Sequence, residues 1–412
     1  MIPGAEAGLA RALAAAGPGP VGLAVSGGSD STALLHLALA AAPGRDWRVV
    51  TVDHGLRPEA AAEAAGVARA AAALDLPHET LRWTGWDGSG NLQDAARRAR
   101  QSLIGDWARR AGIAAVCLGH TMDDQAETVL MRLARGSGVD GLSGMSERRQ
   151  ALGILWLRPL LGLRRAALRD WLAAQGIGWV DDPSNADPRF DRVRARRLLA
   201  DCAGLGISAE GLAATASRMA AARDVLGAAA LAAAERLASV SCGAVTLAPE
   251  LWQVPDETRW RLIAGAACFV SGNPYRPRLA ALQAAEAAAR EGRNHTLHGC
   301  LMLPGRAGLR IQPEPRALAG RRAGAPGDWE GWRVTGPAAP DVQVAALGQA
   351  GLAQMPQWRD SGLPRVLAEV TPGLWRGEML VAAPVLAQGD AGSWRAVALR
   401  DRDAFMRTFI SH

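Results

Sequence analysis

Two short stretches carry residues whose types and spacing suit chemistry. The first is SGGSDS, Ser26 to Ser31, set between an apolar pair and an apolar run with helical spacing. Gly27 and Gly28 allow backbone angles and close approach that a Cβ would block, so successive amides can turn inward on an anion at the mouth of a helix. Ser26, Ser29 and Ser31 add hydroxyl donors, and Asp30 is placed to hold a magnesium ion against phosphate oxygens. The second stretch is LGHTMDDQAETVLMRLARGSGVDGLSGM, Leu118 to Met145. A helix starting near Met122 puts Asp123 and Glu127 one turn apart and Asp124 three residues from Glu127, so acidic groups share a face. Such a cluster binds magnesium with its phosphates, or the ammonium of an amine substrate; a solvated acidic first turn that favours the helix dipole is the plain alternative.

The elements that must position these residues alternate. Val21 to Val25, Arg48 to Val52, Glu79 to Trp83 and Ala114 to Gly119 read as strands, and Ser31 to Ala41, Pro58 to Leu74 and Gln93 to Ala111 carry apolar residues at helical spacing. This pattern predicts an α/β domain with a parallel, doubly wound sheet, whose ligands gather beyond the carboxyl ends of the strands. Both motifs fall at such ends. A further helical stretch, RPLLGLRRAALRDWLAAQG, is followed by the irregular WVDDPSNADPRF. Beyond Leu199 the composition shifts: about Ser208 to Ala238 and Pro277 to Ala289 read as helices of a small helical module. The Gly-, Pro- and Arg-rich segment Pro313 to Trp329 reads as a linker. EMLVAAPVL and WRAVAL then suggest a compact mixed or β-rich tail. The expected division is 1–205, 206–312 and 325–412.

Composition excludes several mechanisms. The 412 residues include 46 basic ones, all arginine, with a net charge of +6. Without lysine there is no Walker-type loop lysine, no Schiff base and no lysyl-adenylate on this protein. The positive balance permits a polyanionic partner. Five scattered cysteines form no CxxC pair, which fits a reducing compartment and no zinc or iron–sulfur site. No apolar run reaches about 18 residues and no basic leader region opens the chain, so no membrane association is expected and the cytoplasm is the expected location.

AVSGGSDS resembles the lysine-free SGGxDS pyrophosphate loop (PP-loop) of the N-type ATP pyrophosphatases, which cleave ATP to AMP and pyrophosphate on a Rossmann-like fold. The second stretch is similar to the GHHxDDQxETxLxRLxRGSGxxGLxGM signature of the tRNA(Ile)-lysidine synthetases. Further similar pieces follow in the same order: TVDHGLRPEA, NLQDAARRAR, RPLL and DDPSNADPRFDRVRARRLL. The resemblance implies an enzyme that uses ATP and Mg2+ to join free L-lysine to the wobble cytidine of the isoleucine tRNA bearing a CAU anticodon, with the two appended domains binding tRNA. The cytosine O2 would attack the α-phosphate and expel pyrophosphate, and the lysine ε-amine would then displace AMP from C2.

On that resemblance, Ser26, Gly27, Gly28, Ser29, Asp30 and Ser31 hold the pyrophosphate, with Asp53 and His54 at the adenosine end of the site and Arg57 just after them as a phosphate contact. Asp30 and Asp124 are the magnesium candidates. Asp123, Asp124 and Glu127 receive the lysine amines, and Arg97 or Arg100 pairs with the lysine carboxylate through a bidentate fork. His120 contacts the α-phosphate or the adenylated base. Asp182, Asn185, Arg192, Arg194 and Arg196 belong to the last motif, whose alternate arginines reach ATP or the tRNA backbone; Arg192 joins Asp30, His120 and Asp124 as the expected catalytic set. The chain departs from the family pattern at Thr121, which replaces the second histidine of GHH, and at Val193, Gln101 and Asp53. A tRNA thiolation enzyme is the nearest rival, but such enzymes depend on cysteines.

Overall fold

Neighbouring residues within each central strand face opposite layers. Leu23, Val49, Cys117 and Leu157 join one core with Leu34, Leu35, Leu168 and Leu172. Val50, Val116 and Trp156 join another with Ile104 and Trp107. Strands buried on both faces call for helices on both sides, and burying each such side chain contributes about 1.5–3 kcal/mol. The computed structural model describes residues 2–56, 58–86, 92–181, 189, 191–386 and 392–410. Arg57, Asn91, Asp182 and Asn185, expected above to serve the site or its motifs, lie outside the described residues.

The first elements are α1 (Ala5–Ala16), β1 (Val21–Ala24), α2 (Ser29–Ala41), β2 (Trp47–Asp53), α3 (Ala60–Ala73), β3 (His78–Arg82), α4 (Leu92–Arg110) and β4 (Ala115–Leu118). They continue with α5 (Met122–Leu133), α6 (Val139–Leu142), β5 (Arg148–Ala151), β6 (Ile154–Leu157), α7 (Arg165–Ala174), α8 (Asp191–Asp201) and α9 (Ala209–Leu237). Their six strands form one sheet in the order β3-β2-β1-β4-β6-β5. All neighbours are parallel except β5, which runs antiparallel to β6. The strand order reverses direction between β1 and β4, and in such sheets the crevice beyond that switch point is where ligands bind. The loop after β1 and the loop after β4 are the two motifs singled out from sequence.

The chain divides into two compact units, Met1–Arg223 and Asp224–Ser411. The second unit contains α10 (Asp256–Ser271) and α11 (Leu279–Arg290) against a five-stranded sheet built from β7 (Ala238–Ser241), β8 (Ala244–Leu247), β9 (His295–Leu297), β10 (Cys300–Gly305) and β11 (Gly308–Pro313). The sequence predicts helices here and gives no sign of the sheet. Two smaller antiparallel sheets complete the unit. The expected linker between Pro313 and Trp329 is instead folded, with strands at Arg322–Gly324 and Gly327–Trp329. Leu318, Ala325 and Trp329 anchor it in a core with Trp332, Val344 and Trp394. Glycine and proline at its turns hide three well-separated anchors.

Candidate active site

The loop after β1 is strapped from within. The Ser31 hydroxyl receives the Ser26 backbone N–H at 3.1 Å and lies 3.0 Å from the Gly28 carbonyl, to which it donates. Gly27 has φ +86°, a backbone state that strains any residue with a Cβ, and its carbonyl accepts the Val180 N–H at 2.9 Å. Helix α2 then starts at Ser29 with no side-chain cap. Its first-turn amides are therefore available to an anion, and Ser26, Gly27, Gly28, Ser29, Asp30 and Ser31 form one cradle around them. A cavity of about 1020 Å3 flanks the loop, lined by Val25, Gly27, Thr32, Leu35, Val67 and Trp179 among others. Its wall is mostly apolar and omits Asp124 and Glu127.

Helix α5 begins with a capping box. Thr121 accepts the Asp124 backbone N–H, and Asp124 Oδ2 accepts both the N–H and the hydroxyl of Thr121 at 2.8 Å. One carboxylate oxygen is thus committed to the helix start, and Oδ1 faces the crevice. The residue that departs from the family signature, Thr121, is what fixes this orientation.

Asp30, Asp124 and Glu127 converge on a single guanidinium. Arg165, the first residue of α7, lies 2.7 Å from Asp30 Oδ2 through Nε, 3.0 Å from Asp124 Oδ1 through Nη2 and 3.5 Å from Glu127 Oε1 through Nη1. From α8, Arg196 donates to Glu127 Oε1 at 2.9 Å and Arg192 stands 3.7 Å from Asp124 Oδ1. Arg194 points elsewhere, to Asp191. Residues four apart share a helix face, so Arg192 and Arg196 meet α5 while Arg194 does not. Glu127 is 1% exposed. Its second oxygen, Oε2, is buried and has no hydrogen-bond partner among the described residues.

These contacts set the charges. Burial raises the Asp30 carboxyl above its ordinary value, and the nearby Asp124 adds to this against the pull of Arg165 and Ser29. Burial also pushes Asp124 upward, but Arg165, the Thr121 amide, His120 and Arg192 outweigh it and the net shift is down. For Arg165, burial is overcome by Asp124, Asp30 and Glu127, so its pKa rises and it stays charged.

Asp123, grouped with these carboxylates by sequence, turns the other way. Its Oδ2 accepts the backbone N–H of Arg165 at 2.7 Å and its Oδ1 the Nε of Arg164 at 3.2 Å. It caps the N-terminus of α7 and so fixes where Arg165 is rooted.

His120 accepts a hydrogen bond at Nδ1 from Arg158 Nε, 3.2 Å away, so the neutral ring carries its proton on Nε2. Burial and the charge of Arg158 push its pKa down to about 3, with Arg192 and Arg97 adding to the effect and Asp124 opposing it. Burial and the charges of Arg97 and Arg149 in turn lower Arg158 to about 10. Arg97 therefore lies close enough to act on His120. Desolvation and the charge of Arg192 lower the pKa of Arg100. Asp53 and His54 close the turn after β2 by accepting the amides of Gly55 and Leu56 at 3.0 and 3.1 Å.

Sequence reasoning missed three arginines. Arg158 fixes the His120 tautomer, Arg165 bridges the carboxylates, and Arg169 lies 3.2 Å from Ser29 Oγ. Arg165 and Arg169 sit four apart on α7, the spacing of one helix face, and that was the available signal.

Residues 4–202 match the PP-loop domain family. The chain is 46% identical to the tRNA(Ile)-lysidine synthase of Ruegeria pomeroyi over 96% of this chain and 95% of that protein. It is 45% identical to the tRNA(Ile)-lysidine synthase of Methylobacterium nodulans over 74% of this chain and 94% of that protein. Among solved structures, the U34-tRNA thiolase NcsA from Methanococcus maripaludis superposes with a TM-score of 0.45 at 12% identity, covering 52% of this chain and 78% of that one. With nearly its whole length matched to a curated relative at 46% identity, the chain belongs to the tRNA(Ile)-lysidine synthase family.

Proposed function

We propose that this enzyme joins the ε-amine of free lysine to C2 of the wobble cytidine in the isoleucine tRNA with a CAU anticodon, at the cost of ATP cleaved to AMP and pyrophosphate. The observation that carries this reading is the meeting, at one switch point, of an uncapped helix N-terminus fit for pyrophosphate and a buried carboxylate, Glu127, with an oxygen left for a cation. One site must serve an expelled polyanion and an amine together, and these two features supply both.

In the first step the cytosine O2 attacks the α-phosphate, the bond to the β-phosphate oxygen breaks, and pyrophosphate settles into the loop from Ser26 to Ser31. Arg169, beside Ser29, adds charge at that end. The Nε2–H of neutral His120 is a donor toward the α-phosphate or the adenylated base, and Arg192, 3.7 Å from Asp124 Oδ1, brings a guanidinium to the same crevice. In the second step the lysine ε-ammonium, held against Glu127 Oε2 and Asp124, gives up a proton to water, the freed amine attacks C2 and AMP leaves. Arg97 or Arg100 takes the lysine carboxylate. Asp53 and His54 bound the adenosine end. Asp123 positions α7 rather than facing the crevice.

Asp30 and Asp124 suit magnesium, since both present an oxygen to one shared cation, the Arg165 guanidinium. Magnesium is commonly held by one or two carboxylates together with substrate phosphates and water, which matches this pair. When bound it would neutralise the phosphates. Thiolase chemistry finds no support at Cys117, which is 1% exposed and whose thiol burial pushes up to about 12, so that it carries no nucleophilic thiolate.

The test is incubation of the purified protein with ATP, magnesium, labelled lysine and the CAU-anticodon isoleucine tRNA transcript. ATP-dependent entry of label into that RNA, and not into elongator methionine tRNA, is expected. No label, or label in the methionine tRNA instead, would overturn the reading.

A further inference from the structure

Arg165 is central to the site, yet the two chemical steps leave it without a task. Its Nε and Nη2 form one edge of the guanidinium, and that edge is spent on two carboxylates from different elements, Asp30 of α2 and Asp124 of α5. The same two oxygens are those proposed to hold magnesium. Arg165 and a metal ion thus compete for one place.

We infer that Arg165 is a tethered counter-ion that fills the metal position in the nucleotide-free enzyme and exchanges those carboxylates for phosphate oxygens when metal and ATP arrive together. The inference rests on the reading of this crevice as the ATP site. Its root is fixed: Asp123 accepts the Arg165 backbone N–H, and Leu168 and Leu172 of α7 are fully buried. Beyond that root the Arg165 side chain has several rotatable bonds, so an exchange of partners needs no movement of α7. Charge balance supports the exchange. Asp30, Asp124 and Glu127 face Arg165, Arg192 and Arg196, three carboxylates against three guanidiniums. A divalent ion entering alone would leave the cluster with excess positive charge, whereas one entering with a polyphosphate brings the anion that Arg165 then binds.

The experiment measures Mn2+ binding to the nucleotide-free protein, without lysine or tRNA, by loss of the free-ion electron paramagnetic resonance signal. The parent should bind Mn2+ only weakly, and Arg165→Met should bind it at least about tenfold more tightly, because a like charge within contact distance is removed. Arg165→Lys keeps the charge and should stay close to the parent. Adding Asp124→Asn to Arg165→Met should abolish the gain. A tight Mn2+ site in the nucleotide-free parent overturns the inference whatever the variants do, as does an Arg165→Met protein that binds no better than the parent. Since no lysine or tRNA is present, a failed ligation assay with this pattern intact would count against the proposed reaction and leave the exchange standing.

Discussion

Arg196 donates from Nε to Glu127 Oε1 at 2.9 Å, while the other oxygen of the same buried carboxylate is left without a partner among the described residues. A buried charged oxygen costs several kcal/mol unless something binds it, and on the proposed reading the lysine ammonium is what binds this one. Glu127→Gln keeps the shape and removes the charge. We expect the KM for lysine to rise by about 10- to 100-fold, since a group built to pair with a substrate charge discriminates strongly when altered. Release of pyrophosphate from ATP and tRNA without lysine should change by no more than about twofold. Equal loss of both steps would show that Glu127 serves the nucleotide rather than the amine.

Asp30 illustrates a conflict between stability and function. Its carboxyl titrates above the ordinary range because burial and Asp124 disfavour its charge. A carboxyl raised in the folded state lowers stability once the pH exceeds its unfolded value, and that loss is relieved as the solution is acidified. Asp30→Asn removes the charge, so the variant should unfold at a higher temperature than the parent near neutrality, with the difference shrinking towards acid pH. Turnover should fall by about 100-fold or more if Asp30 holds the metal against the phosphates. A variant that is less stable at neutral pH would mean that the ion pair with Arg165 outweighs burial.

His120 stays uncharged at any working pH, with a pKa of about 3. Its contribution is then a fixed donor and not a titrating acid. Between roughly pH 6 and 9 the profile of kcat/KM for the parent should contain no limb that His120→Asn removes, even though the variant is slower by about tenfold or more. Disappearance of an acid limb in the variant would show that the ring is protonated during the reaction.

The sheet and both motifs were legible because their signals are local. A buried parallel strand is a short apolar run, the glycine loop is a string of small residues, and the acids of α5 recur at helical spacing, whereas the capping role of Thr121 emerges only from the structure. The sheet in the middle of the chain was not, because strands such as ASVS and AVTL are short and made mostly of small residues, and do not stand out from the alanine-rich helices around them. The arginines of α7 were hidden for a different reason. Periodicity identifies the face on which Arg165 and Arg169 sit, but Arg165 reaches Asp30 across 135 positions. Likewise, Asp123 and Asp124 read alike in sequence, and only the position of α7 separates the helix cap from the site carboxylate.

Gly119 joins the two motifs mechanically. It follows β4, and a Cβ there would lie 3.0 Å from Asp30 C, Asp30 O and Ser31 Cα, all backbone atoms at the start of α2. Backbone in a first helical turn yields less readily than a side chain tip, so Gly119→Ala should displace the beginning of α2 by a few tenths of an ångström. Overpacking of this kind costs about 1–3 kcal/mol, and misplacing reacting groups by less than an ångström is enough to slow a reaction markedly. We expect weaker ATP binding and turnover reduced by about tenfold, measured by nucleotide titration and by the labelled-lysine assay, with the lysine KM less affected. Unchanged affinity for ATP in a folded Gly119→Ala protein would mean that the loop moves independently of β4, and the close contact between the motifs would then have no part in holding the pyrophosphate.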